Sequence, residues 1–232
     1  MKTESQESIS GANMARRSFL RYAGVGIAGA GLLATASCTK DHPIVTSNKG
    51  IDIGATGDLA ILNYAYALEQ LEAAFYTQVI LTPYSGIPAN ELALLTAIRD
   101  HEILHREFFK AALGANAIPA LTVDFSKIDF TSRAATLGAA KAFEDTGVTA
   151  YDGAGYLIGG AAYLTIAGQI VSVEARHAAL ISNLITPGSF AASDQVDANA
   201  LNNSASIADV LKIANTYLKT KVSASNYSYV AA

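Results

Sequence analysis

Residues 101–109 read HEILHREFF and residues 174–180 read EARHAAL. Each stretch places a glutamate three residues before a histidine, Glu102 before His105 and Glu174 before His177. Positions i and i+3 are neighbours on a helix surface, so each pair can grip one ion from one side of one helix. Both pairs sit inside apolar stripes at helical spacing. Leu95, Ile98, Glu102, His105, Phe109 and Leu113 share one stripe. Tyr163, Ala167, Ile170, Glu174, His177 and Ile181 share the other.

Working outward, the 3.6-residue period predicts four long helices, over about 58–81, 89–113, 131–151 and 161–185. Pro83, Gly86 and Pro88 break the first from the second, and Gly114 stops the second. A longer linker with Pro119 leads to the third. A glycine-rich passage, GAGYLIGG, leads to the fourth, which ends before Pro187-Gly188. A shorter amphipathic helix is expected over about 206–221. The serines and Asn202-Asn203 before it suggest loose attachment. The linker segment LTVDF (121–125) looks extended, but no strand pattern competes strongly. The fold class read from the sequence is therefore all-α, a four-helix bundle with a long linker between helices two and three and a short C-terminal fifth helix.

The first and third helices carry acid on the face they should bury. In the first, Leu62, Ala65, Glu69, Glu72, Tyr76 and Ile80 form the stripe, with Asn63, Gln70 and Gln78 opposite. In the third, Leu137, Ala140, Glu144 and Tyr151 form it. Five glutamates and two histidines thus point toward one core, with no lysine among them. A buried ionised carboxylate is costly unless a positive charge compensates it. Divalent or trivalent cations are the natural compensation, and carboxylate with imidazole suits iron, manganese or zinc. The spacing also repeats: Glu69 precedes Tyr76 by seven residues and Glu144 precedes Tyr151 by seven. The first helix pair reads as a copy of the second, which predicts a near-symmetric two-metal site. His101 falls at the edge of its stripe and His42 lies outside the helices; neither receives a role.

The chain has 232 residues, 51% hydrophobic and 16% charged, with a net charge of −4 and one cysteine. Disorder, a disulfide framework and a four-cysteine metal site are excluded, and nothing favours nucleic acid as a partner. Residues 15–21, ARRSFLR, followed by an uncharged Gly/Ala-rich stretch, resemble a twin-arginine export leader over residues 1–38. Cys38 closes LLATASC, where a bacterial lipoprotein carries its acylated residue; cleavage after Ala36 is the alternative. Removing residues 1–38 leaves 12 basic against 18 acidic residues. The expectation is a periplasmic protein or a membrane-anchored lipoprotein, touching the membrane through the lipid alone, with residues 39–56 as a polar tether. Residues 153–173 carry no charge, but their glycines and the unbroken run into Glu174, Arg176 and His177 read as a bundle helix rather than a membrane span.

One glutamate from each of two helices, with Glu-x-x-His from each of the other two, resembles the ferritin-like di-iron bundles. The segments LEQLEAAFY, HEILHREFF, FEDTGVTAYDGA and EARHAAL are similar to the exported ferritin-like family that includes the desiccation-related proteins. The likeness covers roughly residues 58–185. It implies Glu69, Glu102, His105, Glu144, Glu174 and His177 as ligands of two iron ions, two manganese ions or a mixed pair. Glu72 is a further or alternative carboxylate. Tyr76 and Tyr151 would donate hydrogen bonds to ligand carboxylates. Reaction with oxygen or peroxide is implied, as ferroxidase, peroxidase or catalase-like chemistry. The alternative is a non-catalytic stress or desiccation-related envelope protein that uses the bundle structurally. A rubrerythrin-type relay lacks its four cysteines, and a tether disfavours a closed storage cage; a smaller homo-oligomer is left open.

Overall fold

The computed structural model describes residues 46–47 and 50–231. The proposed leader, Cys38 and most of the tether lie outside the described residues.

Four long helices build the body: α1 (Asp58–Leu81), α2 (Ala89–Leu113), α3 (Arg133–Ala154) and α4 (Ala161–Ile185). Their starts and stops follow local chemistry. Pro88 stands just before α2, where a missing N–H costs nothing. Ser132 caps α3 by accepting the Ala135 N–H at 3.3 Å. Thr186 and Pro187 end α4. The seven-residue turn 82–88 sends α2 back along α1, and the turn 155–160 does the same for α4 on α3. The dominant packing is α1 on α2 and α3 on α4, with α1 also against α3. No helix among the described residues is long and apolar enough to cross a membrane.

The first helix has no wet face. Asn63 and Gln70, expected opposite the core stripe, are buried. The linker between α2 and α3 runs along that side and uses both as stand-ins for backbone partners. Asn63 accepts from Ile118 N–H at 2.9 Å and donates to the Asn116 carbonyl at 2.9 Å. Gln70 accepts from Leu121 N–H at 2.8 Å. A buried loop must satisfy its backbone groups, and amide side chains do so here. Phe125 and Phe130 of the linker pack on Phe75, which also meets Phe143 edge-on at 4.8 Å.

The C-terminal segment differs from the expected helix over 206–221. Helix α5 spans only Ile207–Ala214, capped by Ser206, and a 3-10 turn follows over Asn215–Tyr217. The side chain of Asn215 then turns the chain, pairing with both the N–H and the carbonyl of Val222 at 2.8 Å. The result is a short strand. β1 (Thr46–Ser47), β2 (Gly50–Asp52) and β3 (Val222–Ser223) form a three-stranded sheet, β2 antiparallel to β1 and parallel to β3. Ile51 and Ile53 are buried, so the last part of the expected tether belongs to the folded body.

Nor is the attachment loose. Ile207, Val210, Leu211 and Ala214 of α5 are buried, with α5 packed on α3. Ala205 donates its N–H to the Thr149 carbonyl at 3.0 Å. A Cβ on Gly153 would fall 1.9 Å from the Ala205 carbonyl oxygen, so this approach requires glycine.

Candidate metal centre

Each helix delivers its acid from its inner stripe. Glu69, Glu102, Glu144 and Glu174 are 0% exposed, and His105, His177 and Glu72 are buried beside them. The side chains converge in two overlapping groups. Donor atoms of Glu69, Glu102, His105 and Glu174 lie within 4.8 Å of one another, as do those of Glu102, Glu144, Glu174 and His177. In the first group, His105 Nδ1 is 2.8 Å from Glu174, 3.4 Å from Glu69 and 3.7 Å from Glu102. In the second, His177 Nδ1 is 2.8 Å from Glu102, 3.5 Å from Glu144 and 3.8 Å from Glu174. Exchanging α1 with α3 and α2 with α4 maps one group onto the other. Glu102 and Glu174 belong to both.

The tyrosines complete the exchange. Tyr76 of α1 donates its hydroxyl hydrogen to Glu144 Oε1 of α3 at 2.5 Å, and Tyr151 of α3 donates to Glu69 Oε1 of α1. Each outer carboxylate thus has one oxygen held and one free. Burial pushes both phenols above their ordinary range, so they remain donors.

Eight buried atoms of this cluster have no hydrogen-bond partner: Glu69 Oε2, Glu144 Oε2, both oxygens of Glu102 and of Glu174, and Nδ1 of each histidine. Such orphaned groups cost on the order of 1–3 kcal/mol each and are rare singly. Eight of them facing one another fit a site for cations, and carboxylate oxygen with imidazole nitrogen suits first-row metals. Four carboxylates also match two divalent ions in charge.

Protons respond to the same field. Burial, reinforced by Glu174, pushes Glu102 up to about 7. Burial pushes Glu144 up to about 8, against the pull of His177. Glu174 is the exception: burial opposes its ionisation, but the adjacent imidazoles of His105 and His177 hold it at about 2. Both histidines, which burial alone would depress, are lifted by their carboxylate neighbours, His177 to about 12.

The structure brings together all six residues expected as ligands. Of the two α1 candidates, Glu69 stands in a donor group and Glu72 in neither. The Glu72 carboxyl lies against Gly147, where a Cβ would meet its Oε1 at 3.0 Å. Burial, and then Glu174, Glu102, Glu144 and Glu69, raise it well above the ordinary carboxylate range. The residue passed over in the sequence is His101. Its Nδ1 lies 2.9 Å from His177 Nε2. The signal available was its i, i+4 relation to His105, one turn along the same side of α2.

A family model described as a ferritin-like domain matches residues 57–187. The chain belongs to the ferritin-like domain family. No curated protein matches it. The matched residues run from the start of α1 to the end of α4 and so contain the whole carboxylate and histidine cluster. Beside this ferritin-like centre lies an apolar cavity of about 20 Å³, walled by Leu62, Ala65, Leu68, Phe109, Ala150 and Tyr151 among others. Space for one water-sized molecule takes about 10–15 Å³. Tyr151 stands at its wall and donates its hydroxyl hydrogen to Glu69.

Proposed function

We propose that the chain is an exported ferritin-like protein that binds two iron ions, two manganese ions or one of each, and reacts with dioxygen or peroxide. The observation that carries this reading is the set of eight buried donor atoms without partners, drawn symmetrically from four helices. Glu69 and His105 would hold one ion, Glu144 and His177 the other, with Glu102 and Glu174 shared. Bound, the pair supplies redox electrons and Lewis acidity to a small oxidant. The chain's own residues do the rest. Tyr76 and Tyr151 fix the outer carboxylates so that one oxygen of each faces inward. Phe109, Leu68 and Ala150 make the neighbouring cavity apolar, which suits a small uncharged molecule better than an ion. Arg16, Arg17 and Cys38 support twin-arginine export and a lipid anchor.

Elemental analysis of the purified protein, expressed in iron- and manganese-supplemented media, tests the binding. Oxidation of ferrous iron by oxygen or peroxide, lost in Glu102→Ala and Glu174→Ala, tests the chemistry. Two ions bound with no turnover would instead favour the structural, stress-related reading. Protein that emerges with no metal, and takes none up, refutes the dinuclear reading.

A further inference from the structure

The donor cluster is symmetric, but its surroundings are not. Glu102 and His105 correspond to Glu174 and His177 at a constant offset of 72 residues. The same offset carries His101 onto Val173. The position that holds an imidazole beside His177 is therefore matched, in the repeat, by an aliphatic residue.

The contact itself is well defined. The rings of His101 and His177 are nearly parallel, at 14°, with centroids 5.2 Å apart, and His101 Nδ1 is 2.9 Å from His177 Nε2. The other nitrogen of His177, Nδ1, faces Glu102, Glu144 and Glu174. A neutral imidazole carries one N–H. If Nδ1 gives its lone pair to a cation, the hydrogen must sit on Nε2. His101 Nδ1 is then the acceptor, and the ring of His101 carries its own hydrogen on Nε2. That bond selects the metal-binding tautomer of His177 and stops the ring from turning about its torsions. Valine at position 173 can do neither for His105.

We infer that His101 is a positioning residue for the His177 end of the centre, and that this end takes up a divalent cation more tightly than the His105 end. The inference rests on the dinuclear reading above and adds an order of filling to it. Loss of such an outer partner typically costs about 10–100-fold in metal affinity.

The test is a cobalt(II) titration of the purified metal-free protein, followed by visible absorption, for the wild type, His101→Leu and His101→Asn. Asparagine can present its carbonyl oxygen close to where Nδ1 stood; leucine cannot. His101 lies at the surface, so both variants should fold, and thermal melting checks that. The wild type should bind cobalt in two resolved steps. His101→Leu should weaken the tighter step about 10–100-fold and leave the second unchanged, while His101→Asn recovers most of the loss. Proton NMR of the zinc-loaded protein gives a readout that packing alone would not move. A slowly exchanging His177 Nε2–H signal should be present in the wild type and His101→Asn and absent in His101→Leu. Two equal steps in the wild type, or a His101→Leu variant that binds as the wild type does or loses both steps alike, overturns the inference while leaving the dinuclear reading intact. A wild type that binds no cobalt overturns both.

Discussion

Manganese(II) offers a direct test of the centre, because it suits the donor set and does not consume itself in the measurement. Each ion that binds only the folded chain stabilises it by about 2.7 kcal/mol when free metal is at 100 times its dissociation constant. Two ions give about 5 kcal/mol, and a domain of this size gains about 2–4 °C per kcal/mol, so the melting temperature should rise by about 10–20 °C. The geometry then predicts an inequality among variants. Glu102 and Glu174 each stand in both donor groups, whereas Glu69 and Glu144 each stand in one. Glu102→Gln and Glu174→Gln should therefore abolish most of the manganese shift. Glu69→Gln and Glu144→Gln should keep roughly half of it, about 5–10 °C on the same scale. Differential scanning calorimetry of metal-free and manganese-saturated protein measures all five. A melting temperature indifferent to manganese, or equal losses in the shared and unshared variants, would refute the assignment of two overlapping groups.

Three further outcomes are expected. Tyr76→Phe keeps the ring and removes only the hydroxyl that holds Glu144; leaving that buried carboxyl oxygen without its donor should cost about 1–3 kcal/mol in urea unfolding, and a cost near zero would mean the contact contributes nothing. The pH dependence of the metal-free protein follows from the sign of the shifts. Folding raises Glu102 to about 7 and Glu144 to about 8, so their contribution is full below the ordinary glutamate range and is lost as pH climbs through those values. His177, raised to about 12, loses its contribution in the same direction. Denaturation midpoints should therefore fall between about pH 5 and about pH 9, while manganese affinity rises because the ligands must shed protons; midpoints that climb with pH would contradict the burial of these groups. Finally, Gly138 and Gly147 lie on the same helix, but only Gly147 faces the Glu72 carboxyl. Gly138→Ala should stabilise by about 0.5–1 kcal/mol, whereas Gly147→Ala should not unless Glu72 is also shortened, and identical gains from the two would show that the contact is free to relax.

Much of this was readable because it is local. Glu102–His105 and Glu174–His177 are three apart, and the stripes that carry them depend only on the helical period. What escaped is long-range. Leu211, Ala214, Leu218 and Val222 fall three or four residues apart, so the helical pattern runs on past Ala214. All four are buried, but the last two sit in extended chain. The partner that makes extension favourable is Ile51, which pairs with Val222 across most of the sequence. No window of 11–18 residues contains both. Asn63 and Gln70 misled in the same way. A polar residue opposite an apolar stripe ordinarily faces water, and only the linker arriving from 50 or so positions away turns each into a buried partner.

The repeat and its departures carry different information. Glu69 with Glu144, Glu72 with Gly147, and Tyr76 with Tyr151 are each 75 residues apart, so α1 and α3 can be compared position by position. At 69/144 both helices supply a donor and at 76/151 both supply the tyrosine that holds one; at 72/147 one helix has an acid and the other has no side chain at all. Four ionised carboxylates already match two divalent ions, so a fifth would leave an uncompensated buried charge, the costliest arrangement available. The structure keeps Glu72 outside both donor groups, in the room left by the missing side chain at Gly147, where burial and the surrounding carboxylates oppose its ionisation. The asymmetry at 72 and 147 therefore follows from charge: a second acid at 147 would have to share that room with Glu72, and a bulky neutral residue there would push Glu72 toward the shared carboxylates.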